Sequence, residues 1–243
     1  MKHPITHYKV LTFDCYGTMI DWESGIWDAL QPLLFVNKRT DITREMALAA
    51  FAKIETEQEA KTPGMRYSQL LSQVHSSIAQ FFDMKSDQTL NTAFGSSVNQ
   101  WPAFADSADA LRLLKKHFKL VILSNVHRAG FAASNAKLGV EFDAIYTAED
   151  VGSYKPNLAN FNFMLKHLKA DFGIEKEHIL HTAQSLHHDH VPATKVGLDK
   201  AWIDRQNLSD GDNWGATAVV NDRPDVDFTF STLMEMARYV ESC

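Results

Sequence analysis

Cysteine is scarce in this 243-residue chain, which has only Cys15 and Cys243. The two lie far apart and form no CxxC pair, which excludes a disulfide scaffold as the organising principle of the fold. No apolar run approaches the roughly 18–20 residues that span a bilayer. The first residues also lack the apolar centre of a signal peptide. These absences predict a cytoplasmic protein with no membrane partner.

Positive charge is also in deficit. Lys and Arg together number 24 and Asp and Glu 30, which gives a net charge of −6. Such a chain is a poor match for a phosphate backbone, so we expect no nucleic-acid partner. Hydrophobic residues make up 45% of the chain and charged residues 22%, ordinary shares that exclude a disordered or fibrous protein. The length fits one sizeable α/β domain with a smaller insertion.

The sequence does contain a regular alternation of strand and helix patterns. Residues 8–13 are β-branched and aromatic and predict a buried strand that ends at Asp14, with Gly17 giving the next loop its backbone freedom. Residues 119–123 are almost all apolar, which is typical of a strand buried on both faces. Further strands are predicted over residues 144–147, 178–183, 200–204 and 228–230, and helices over 107–117, 128–138, 157–168, 190–196 and 232–240. This alternation predicts an α/β fold with a Rossmann-like parallel sheet.

The pattern changes between residues 22 and 100, where strand-like runs disappear. The spacing of apolar residues there is helical, and Thr62-Pro63-Gly64 interrupts it. The predicted helices cover residues 45–60, 67–82 and 89–99. We therefore predict an all-helical insertion. The predicted division is a core of residues 1–18 and 101–243 and a helical cap of residues 19–100.

Polar side chains gather where the predicted strands end. Ligands of open parallel sheets bind outside the carboxyl ends of the strands. The residues at these ends are Asp14 and Thr18, then Ser124 and Asn125, then Glu149, Asp150 and Lys155, and finally Gln184, Ser185 and Asp189. Carboxylates, hydroxyls and a lysine that converge in this way predict an active site.

Asp14 is the central candidate of this set. A carboxylate in its position can act as a nucleophile, a metal ligand or a general base. The structural alternative is an aspartate that only bonds to the amides of a turn. Lys155 precedes Pro156 and a predicted helix, which favours a place in the site. Its ammonium group would lower the pKa of Asp14 and keep that carboxyl ionised.

A set of short motifs on successive strand ends carries a family resemblance. The motifs are Phe13-Asp14-Cys15-Tyr16-Gly17-Thr18, Leu123-Ser124-Asn125, Tyr154-Lys155-Pro156 and the loop of Asp189. In this order they resemble the haloacid dehalogenase superfamily and, within it, the L-2-haloacid dehalogenase branch. The resemblance covers residues 8–18 and 101–205. It implies a Rossmann-like core with a helical cap inserted after the first motif.

Tyr16 bears on the choice between two branches of that superfamily. Phosphatase members carry a second aspartate here, which serves as acid and base and helps to hold Mg²⁺. Dehalogenase relatives have the Asp-x-Tyr-Gly-Thr pattern of this sequence. Because the unperturbed pKa of tyrosine is about 10, Tyr16 cannot replace a carboxylate at neutral pH. The resemblance thus implies carbon–halogen hydrolysis without a metal or other cofactor. The alternatives are a Mg²⁺-dependent phosphatase and a protein of this fold with little or no dehalogenase activity.

The resemblance also implies roles for the matched residues. Asp14 would attack the halogen-bearing carbon of a short anionic 2-haloacid and form an aspartyl ester that water hydrolyses. Lys155 would hold Asp14 as a carboxylate, and Asp189 would activate the water or hold Lys155. The residues implied to bind the substrate or position Asp14 are Tyr16, Thr18, Ser124 and Asn125. By the same analogy we expect a homodimer.

Some positions depart from the dehalogenase pattern. Phe161 stands where a tyrosine is common, and Leu186 stands where an asparagine is common. Dehalogenases often carry an arginine on the first cap helix that receives the halide, and alignment places Ala52 near that position. The nearby cations are Arg44, Lys53 and Arg66. These departures leave the nucleophile in place and the halide site unassigned.

Histidines are dense around Asp189, at positions 181, 187, 188 and 190. Imidazoles can bind metal ions, but the adjacent His187 and His188 are expected to point apart. We predict instead that one histidine orients Asp189 or moves protons. Cys15, beside the candidate nucleophile, is expected to be a small buried residue without covalent chemistry.

Overall fold

A computed structural model describes residues 3–210 and 220–243 of the chain. Six strands form one sheet in the order β3-β2-β1-β4-β5-β6, and every neighbouring pair is parallel. The strands are β1 (Val10–Phe13), β2 (Lys119–Ser124), β3 (Ala144–Thr147), β4 (Ile179–Ala183), β5 (Asp199–Ile203) and β6 (Phe228–Phe230). The predicted α/β fold with a Rossmann-like parallel sheet is confirmed.

The helices lie in two groups along the chain. Between β1 and β2 come α1 (Trp22–Val36), α2 (Arg44–Lys61), α3 (Tyr67–Phe81), α4 (Gln88–Gly95) and α5 (Ser107–Leu114). The later helices are α6 (Arg128–Leu138), α7 (Ala148–Val151), α8 (Leu158–Phe172), α9 (Val191–Val196) and α10 (Leu233–Glu241). All regular elements between residues 22 and 100 are helical, whereas the division into core and cap stays a prediction. In the described ranges, no helix has both the length and the apolar character needed to cross a membrane.

The sequence patterns predicted neither the short helix α7 nor the longer helix α1. Pro32 lies inside it and Gly25 lies in its second turn, and both residues weaken a helical pattern. The helix forms because Asp21 caps it by accepting a hydrogen bond from the Ser24 amide, at 3.1 Å. Gly25 also has a packing reason, since a Cβ there would lie 2.3 Å from the Trp101 ring.

Helix α4 is shorter than predicted. It ends at Gly95, and Ser97–Gln100 form a separate 3₁₀ turn. Glycine and serine are poor helix formers, which accounts for the break inside the predicted range of residues 89–99. Gly95 packs so closely on the α3 backbone that a Cβ would lie 2.4 Å from the Ser68 carbonyl oxygen.

Strand β1 lies at the centre of the sheet and is buried along its whole length. Leu11 and Phe13 belong to the apolar cluster that includes Met236 of α10. Val10 belongs to a second cluster with Phe161 of α8. Successive side chains of a strand point to opposite faces, so β1 is held by packing on both sides. The residue that follows it, Asp14, therefore extends from a rigid element.

Candidate active site

The loop after β1 places Asp14 at the carboxyl edge of the sheet. The Asp14 amide continues the strand pairing by donating to the Thr182 carbonyl of β4, at 3.1 Å. The chain then turns back, because the Met19 amide donates to the Cys15 carbonyl at 2.8 Å. Gly17 has a φ of +89°, a left-handed conformation that favours glycine. The chain leaves β1 for β2 on one side and later returns to β4 on the other, so Asp14 stands where ligands of such sheets bind.

Lys155 joins the two predicted catalytic aspartates. Its Nζ donates to Asp14 Oδ1 at 2.8 Å, to Asp189 Oδ1 at 2.7 Å and to the Leu123 carbonyl at 3.0 Å. These bonds use all three ammonium protons. The Lys155 and Asp189 side chains are 1% and 0% exposed, so the ion pairs are screened little by water. The structure thus brings together Asp14, Lys155 and Asp189 from three different loops.

This arrangement gives the two carboxyls different proton affinities. Burial raises the pKa of Asp14, Lys155 lowers it and Asp189 raises it again, and the net direction is upward. The sequence predicted a lowered pKa, but one ammonium here serves two carboxylates. Although burial opposes it, Lys155 and His181 bring the pKa of Asp189 well below its usual range. The two aspartates likewise outweigh burial and raise the pKa of Lys155 to about 12.

Thr18 contacts the Asp14 carboxylate through its hydroxyl group. Its Oγ1 donates to Asp14 Oδ2 at 3.1 Å and accepts from the Gln184 amide at 2.9 Å. Thr18 is fully buried and does not line the neighbouring cavity, so in this structure it positions Asp14. Ser124 is also buried and outside the cavity wall, and its Oγ accepts from the Val126 amide at 3.5 Å. Neither hydroxyl is placed to contact a substrate.

Asn125 and Tyr16, by contrast, do line the cavity. The Asn125 side chain fixes the backbone of Lys155: its Oδ1 accepts from the Lys155 amide at 2.7 Å and its Nδ2 donates to the Lys155 carbonyl at 3.1 Å. The Tyr16 hydroxyl shares a hydrogen bond of 3.0 Å with Ser134 Oγ on α6. Its ring lies edge-on to Trp101, with centroids 5.2 Å apart. Tyr16 therefore offers the cavity its aromatic ring, while its hydroxyl is engaged elsewhere.

One of the four histidines contacts Asp189, as expected of a histidine that orients it. His181 Nε2 lies 2.9 Å from Asp189 Oδ1, and its Nδ1 lies 2.9 Å from Thr12 Oγ1. Asp189 Oδ2 is buried and has no hydrogen-bond partner within the described parts of the chain. Residues 3–210 and 220–243 contain no cluster of three or more His, Cys, Asp or Glu side chains suited to a metal ion. Cys15 is buried and does not line the cavity.

A cavity of about 80 Å³ opens above Asp14, enough for a few non-hydrogen atoms of a ligand. Its aromatic lining residues are Tyr16, Trp22, Phe51, Tyr67 and Trp101. Its ionisable lining residues are Asp14, Glu55, Glu59, Tyr67, Lys155, His188 and Asp189. The cavity is therefore enclosed largely by rings and carboxyl groups.

Helix α2 contributes two carboxyl groups that the sequence patterns did not single out. Phe51, Glu55 and Glu59 are spaced four residues apart, which puts them on one face of the helix toward the cavity. Glu55 Oε1 accepts from the Tyr67 hydroxyl at 2.5 Å, and Glu59 Oε2 lies 3.5 Å from His188 Nε2. Burial, reinforced by Glu59, raises the pKa of Glu55 to about 8. The four-residue spacing of Glu55 and Glu59 from the apolar Phe51 was the sequence signal that could have assigned these residues to the cavity.

The position at which the dehalogenase pattern expects a halide-binding arginine also lies on α2. Ala52, the residue aligned with the expected arginine, lines the cavity, and it carries no charge. The three nearby cations that the sequence offered, Arg44, Lys53 and Arg66, do not line it. Arg66 instead lies 3.7 Å from Glu149.

The other two departures from the dehalogenase pattern lie outside the cavity wall. Phe161 is buried with its ring edge-on to His181, at a centroid distance of 5.1 Å. Leu186 packs in a separate apolar cluster with Trp202. Both replace polar groups by side chains that fill space beneath the site.

Solved structures with the same fold include known dehalogenases. An L-2-haloacid dehalogenase from Xanthobacter autotrophicus has a TM-score of 0.76 at 18% identity, over 96% of this chain and 98% of the other. A defluorinating L-2-haloacid dehalogenase has a TM-score of 0.77 at 15% identity, over 99% of both chains. A putative hydrolase of the same superfamily from Bacillus subtilis, bound to magnesium, has a TM-score of 0.74 at 19% identity, over 96% of this chain and 99% of the other. At these identities the likeness shows the fold.

The sequence itself supplies the family. A search of curated proteins gave no match. The family model described as haloacid dehalogenase-like hydrolase matches residues 8–182, well over half of the chain, and includes Asp14 and Lys155. The superfamily that the motifs resemble is thereby confirmed, and the chain belongs to the haloacid dehalogenase-like hydrolases.

Proposed function

We propose that this hydrolase cleaves a carbon–halogen bond, with Asp14 as the nucleophile. The observation that supports it best is the Asp14 carboxylate at the cavity wall, fixed by Lys155 and Thr18 and accompanied by Tyr16 instead of a second carboxylate. A nucleophile held in one geometry near a bound carbon reacts as if at high local concentration. An enclosed cavity also limits competing water.

The reaction has two steps. An Asp14 carboxylate oxygen attacks the halogen-bearing carbon, the carbon–halogen bond breaks, and the halide leaves with the bonding electrons. Water then attacks the carboxyl carbon of the resulting ester, and the bond between that carbon and the ester oxygen breaks with its electrons on the oxygen. The bond formed earlier, between this oxygen and the substrate carbon, stays intact, so the alcohol product carries an Asp14 oxygen and takes one proton from the water. The second proton leaves to solvent as the Asp14 carboxylate is restored.

Lys155 and Asp189 support these steps. The ammonium of Lys155 stabilises the ionised form of Asp14, which is the form that attacks. Asp189 stays ionised at neutral pH and lines the cavity, and its buried Oδ2 is without a hydrogen-bond partner in the described chain. That oxygen is the acceptor we assign to the hydrolytic water.

The second candidate is a Mg²⁺-dependent phosphatase, since one solved structure with this fold was bound to magnesium. The residues here do not suit that ion, which prefers several oxygen ligands and bound waters. The Lys155 ammonium lies 2.8 Å from Asp14 Oδ1, where it already balances the carboxylate. The hydroxyl of Tyr16, at the position of the second phosphatase aspartate, is bonded to Ser134. We therefore derive no step through a metal.

Halide release tests the proposal against this alternative. We expect halide release, unaffected by EDTA, from at least one of three short chlorinated compounds: 2-chloropropionate, 2-chloropropionamide and (2-chloroethyl)trimethylammonium. The reason is that attack by Asp14 requires no metal. Halide is measured with and without EDTA, beside phosphate release from p-nitrophenyl phosphate with Mg²⁺. Phosphate release that needs Mg²⁺, with no halide from any of the three, would contradict the proposal.

The acidic limb of the pH profile reports on Asp14. Because the folded-state pKa of Asp14 is raised, its attacking form is present above that pKa and is lost as pH falls through it. We expect the fall of kcat/KM at a pH above the ordinary aspartate pKa of about 3.9. Thr18→Val removes a bond that favours the ionised form and should move the limb to higher pH. A limb at or below the ordinary aspartate value, unmoved by Thr18→Val, would contradict this assignment.

A further inference from the structure

We infer that the cavity selects an organic cation, a short alkylammonium compound that carries the leaving group, in place of an anionic 2-haloacid. The inference rests on the proposed function for the reacting step and deepens it by naming the substrate class. It is carried by the charge of the cavity wall, by its aromatic composition and by its size.

The charge of the wall disfavours an anion. Asp14 and Asp189 share the single ammonium of Lys155, whose three protons are already donated. Glu59 is accompanied by His188 at 3.5 Å. Even with Glu55 protonated and His188 charged, the wall has three carboxylates against two cations. The lining also offers the polar groups of Asn125, Ser185 and His188, but a substrate carboxylate would make four carboxylates against two cations, and burial of unbalanced charge is costly.

The aromatic rings give the same preference. Four of the lining rings pack in two pairs, Tyr16 with Trp101 at a centroid distance of 5.2 Å and Trp22 with Phe51 at 5.6 Å. The electron-rich face of an aromatic ring attracts a cation, and aromatic cages recognise quaternary ammonium groups. A neutral apolar ligand would also fit against rings, but it would not balance the excess negative charge of the wall. Rings combined with carboxylates therefore favour a substituted ammonium group.

The position of the carboxylates supports a defined orientation. Glu55 and Glu59 stand on α2, whereas Asp14 stands on the loop after β1. All three residues line one cavity of about 80 Å³. An ammonium group held against α2 would leave the rest of a short substrate in the same cavity as the nucleophile. The size limits the substrate to a short compound.

Binding of an unreactive cation provides the test. Tetramethylammonium is titrated into the protein beside tert-butanol, a neutral compound of similar size, and isobutyrate, an anion. Binding is measured by ligand-observed NMR and by the fluorescence of the cavity tryptophans, Trp22 and Trp101. We expect the Kd of tetramethylammonium to be at least about tenfold lower than that of tert-butanol, and no saturable binding of isobutyrate. Equal affinity for the cation and the neutral compound, or tighter binding of isobutyrate, would overturn the inference.

Variants of α2 separate charge from shape. Glu59→Gln and Glu55→Gln preserve the size of each side chain. Glu59→Gln should weaken tetramethylammonium binding about tenfold at neutral pH, with little effect on tert-butanol. Because the pKa of Glu55 is raised to about 8, Glu55→Gln should have the same effect only above that pH, where the carboxyl is ionised. Glu57→Gln is the matched control, since Glu57 is an exposed residue of the same helix outside the cavity. Thermal unfolding shows whether each variant folds. If Glu59→Gln fails to fold, Glu55→Gln and the selectivity of the unaltered protein still decide the question.

The two proposals fail in different ways. Cation binding without halide release from any chlorinated compound would refute the proposed carbon–halogen chemistry and leave the cation preference standing. Halide release from 2-chloropropionate, without release from (2-chloroethyl)trimethylammonium and without tetramethylammonium binding, would overturn the cation preference alone.

Discussion

Replacement of Asp14 by asparagine is expected to lower kcat for halide release by at least about ten-thousand-fold. The amide is a poor nucleophile, so loss of the carboxylate stops the first step. The measurement is halide release from the compound that the unaltered protein turns over best. In the unaltered protein, rapid quenching followed by mass spectrometry should find the substrate carbon skeleton attached to the peptide that contains Asp14. The variant should carry no adduct.

Cys15→Ser is the matched control for this experiment. Cys15 is the neighbour of Asp14, and it is buried and outside the cavity wall. Burial raises the pKa of its thiol, so a reactive thiolate is disfavoured. We expect the variant to retain halide release. An adduct on Cys15, or full activity of Asp14→Asn, would refute the assignment of the nucleophile.

Replacement of Lys155 by methionine should have the second large effect, on both stability and activity. It leaves Asp14 and Asp189 buried near one another with no ammonium between them. Removal of one partner from a buried ion pair costs about 3–5 kcal/mol of the free energy of unfolding. The remaining carboxyls should have raised pKa values, so the lost stability should return in part as pH falls and one carboxyl takes a proton. Urea unfolding at neutral and acidic pH measures both effects.

Two further variants make this result specific. Lys53→Met removes an exposed lysine of α2 and is expected to change the free energy of unfolding by less than about 0.5 kcal/mol. Adding Asp189→Asn to Lys155→Met should recover part of the lost stability, since it removes one of the two unpaired charges. A Lys155→Met protein as stable at neutral pH as the unaltered one would show that the ion pairs contribute little.

The central part of the site was predictable because it depends on the sheet. Asp14, Lys155 and Asp189 follow the parallel strands β1, β3 and β4, and parallel strands bring their carboxyl ends to one edge. The strand patterns were strong, so three residues far apart in sequence could be placed together. The family resemblance implied contacts of Lys155 with Asp14 and Asp189, whereas the strand patterns alone do not give them, because the direction of one side chain depends on packing. The raised pKa of Asp14 required the structure, since burial of the carboxyl is its largest cause.

The cavity wall was harder to predict for a physical reason. Glu55 and Glu59 reach the site only because α2 packs over the sheet edge, and the helical spacing of a sequence does not specify which remote element a face will meet. Thr18 illustrates the opposite case. It lies four residues after Asp14 in the same tight loop, so its bond to the carboxylate is a local contact. Its burial, which separates a positioning residue from a substrate ligand, required the structure.

The residues that lie on one face of α2 have a consequence for the evolution of this enzyme class. Phe51, Ala52, Glu55 and Glu59 face the cavity, whereas the nucleophile and its ion pairs stand on loops of the sheet. Substitutions at Phe51, Ala52 and Glu55 can alter the charge and shape presented to a substrate without removing a bond to the groups around Asp14. Glu59 differs, because it accepts a hydrogen bond from Asn125, which in turn fixes Lys155. Ancestral or engineered changes of specificity can therefore proceed by single steps along one helix, while the chemical step is inherited unchanged.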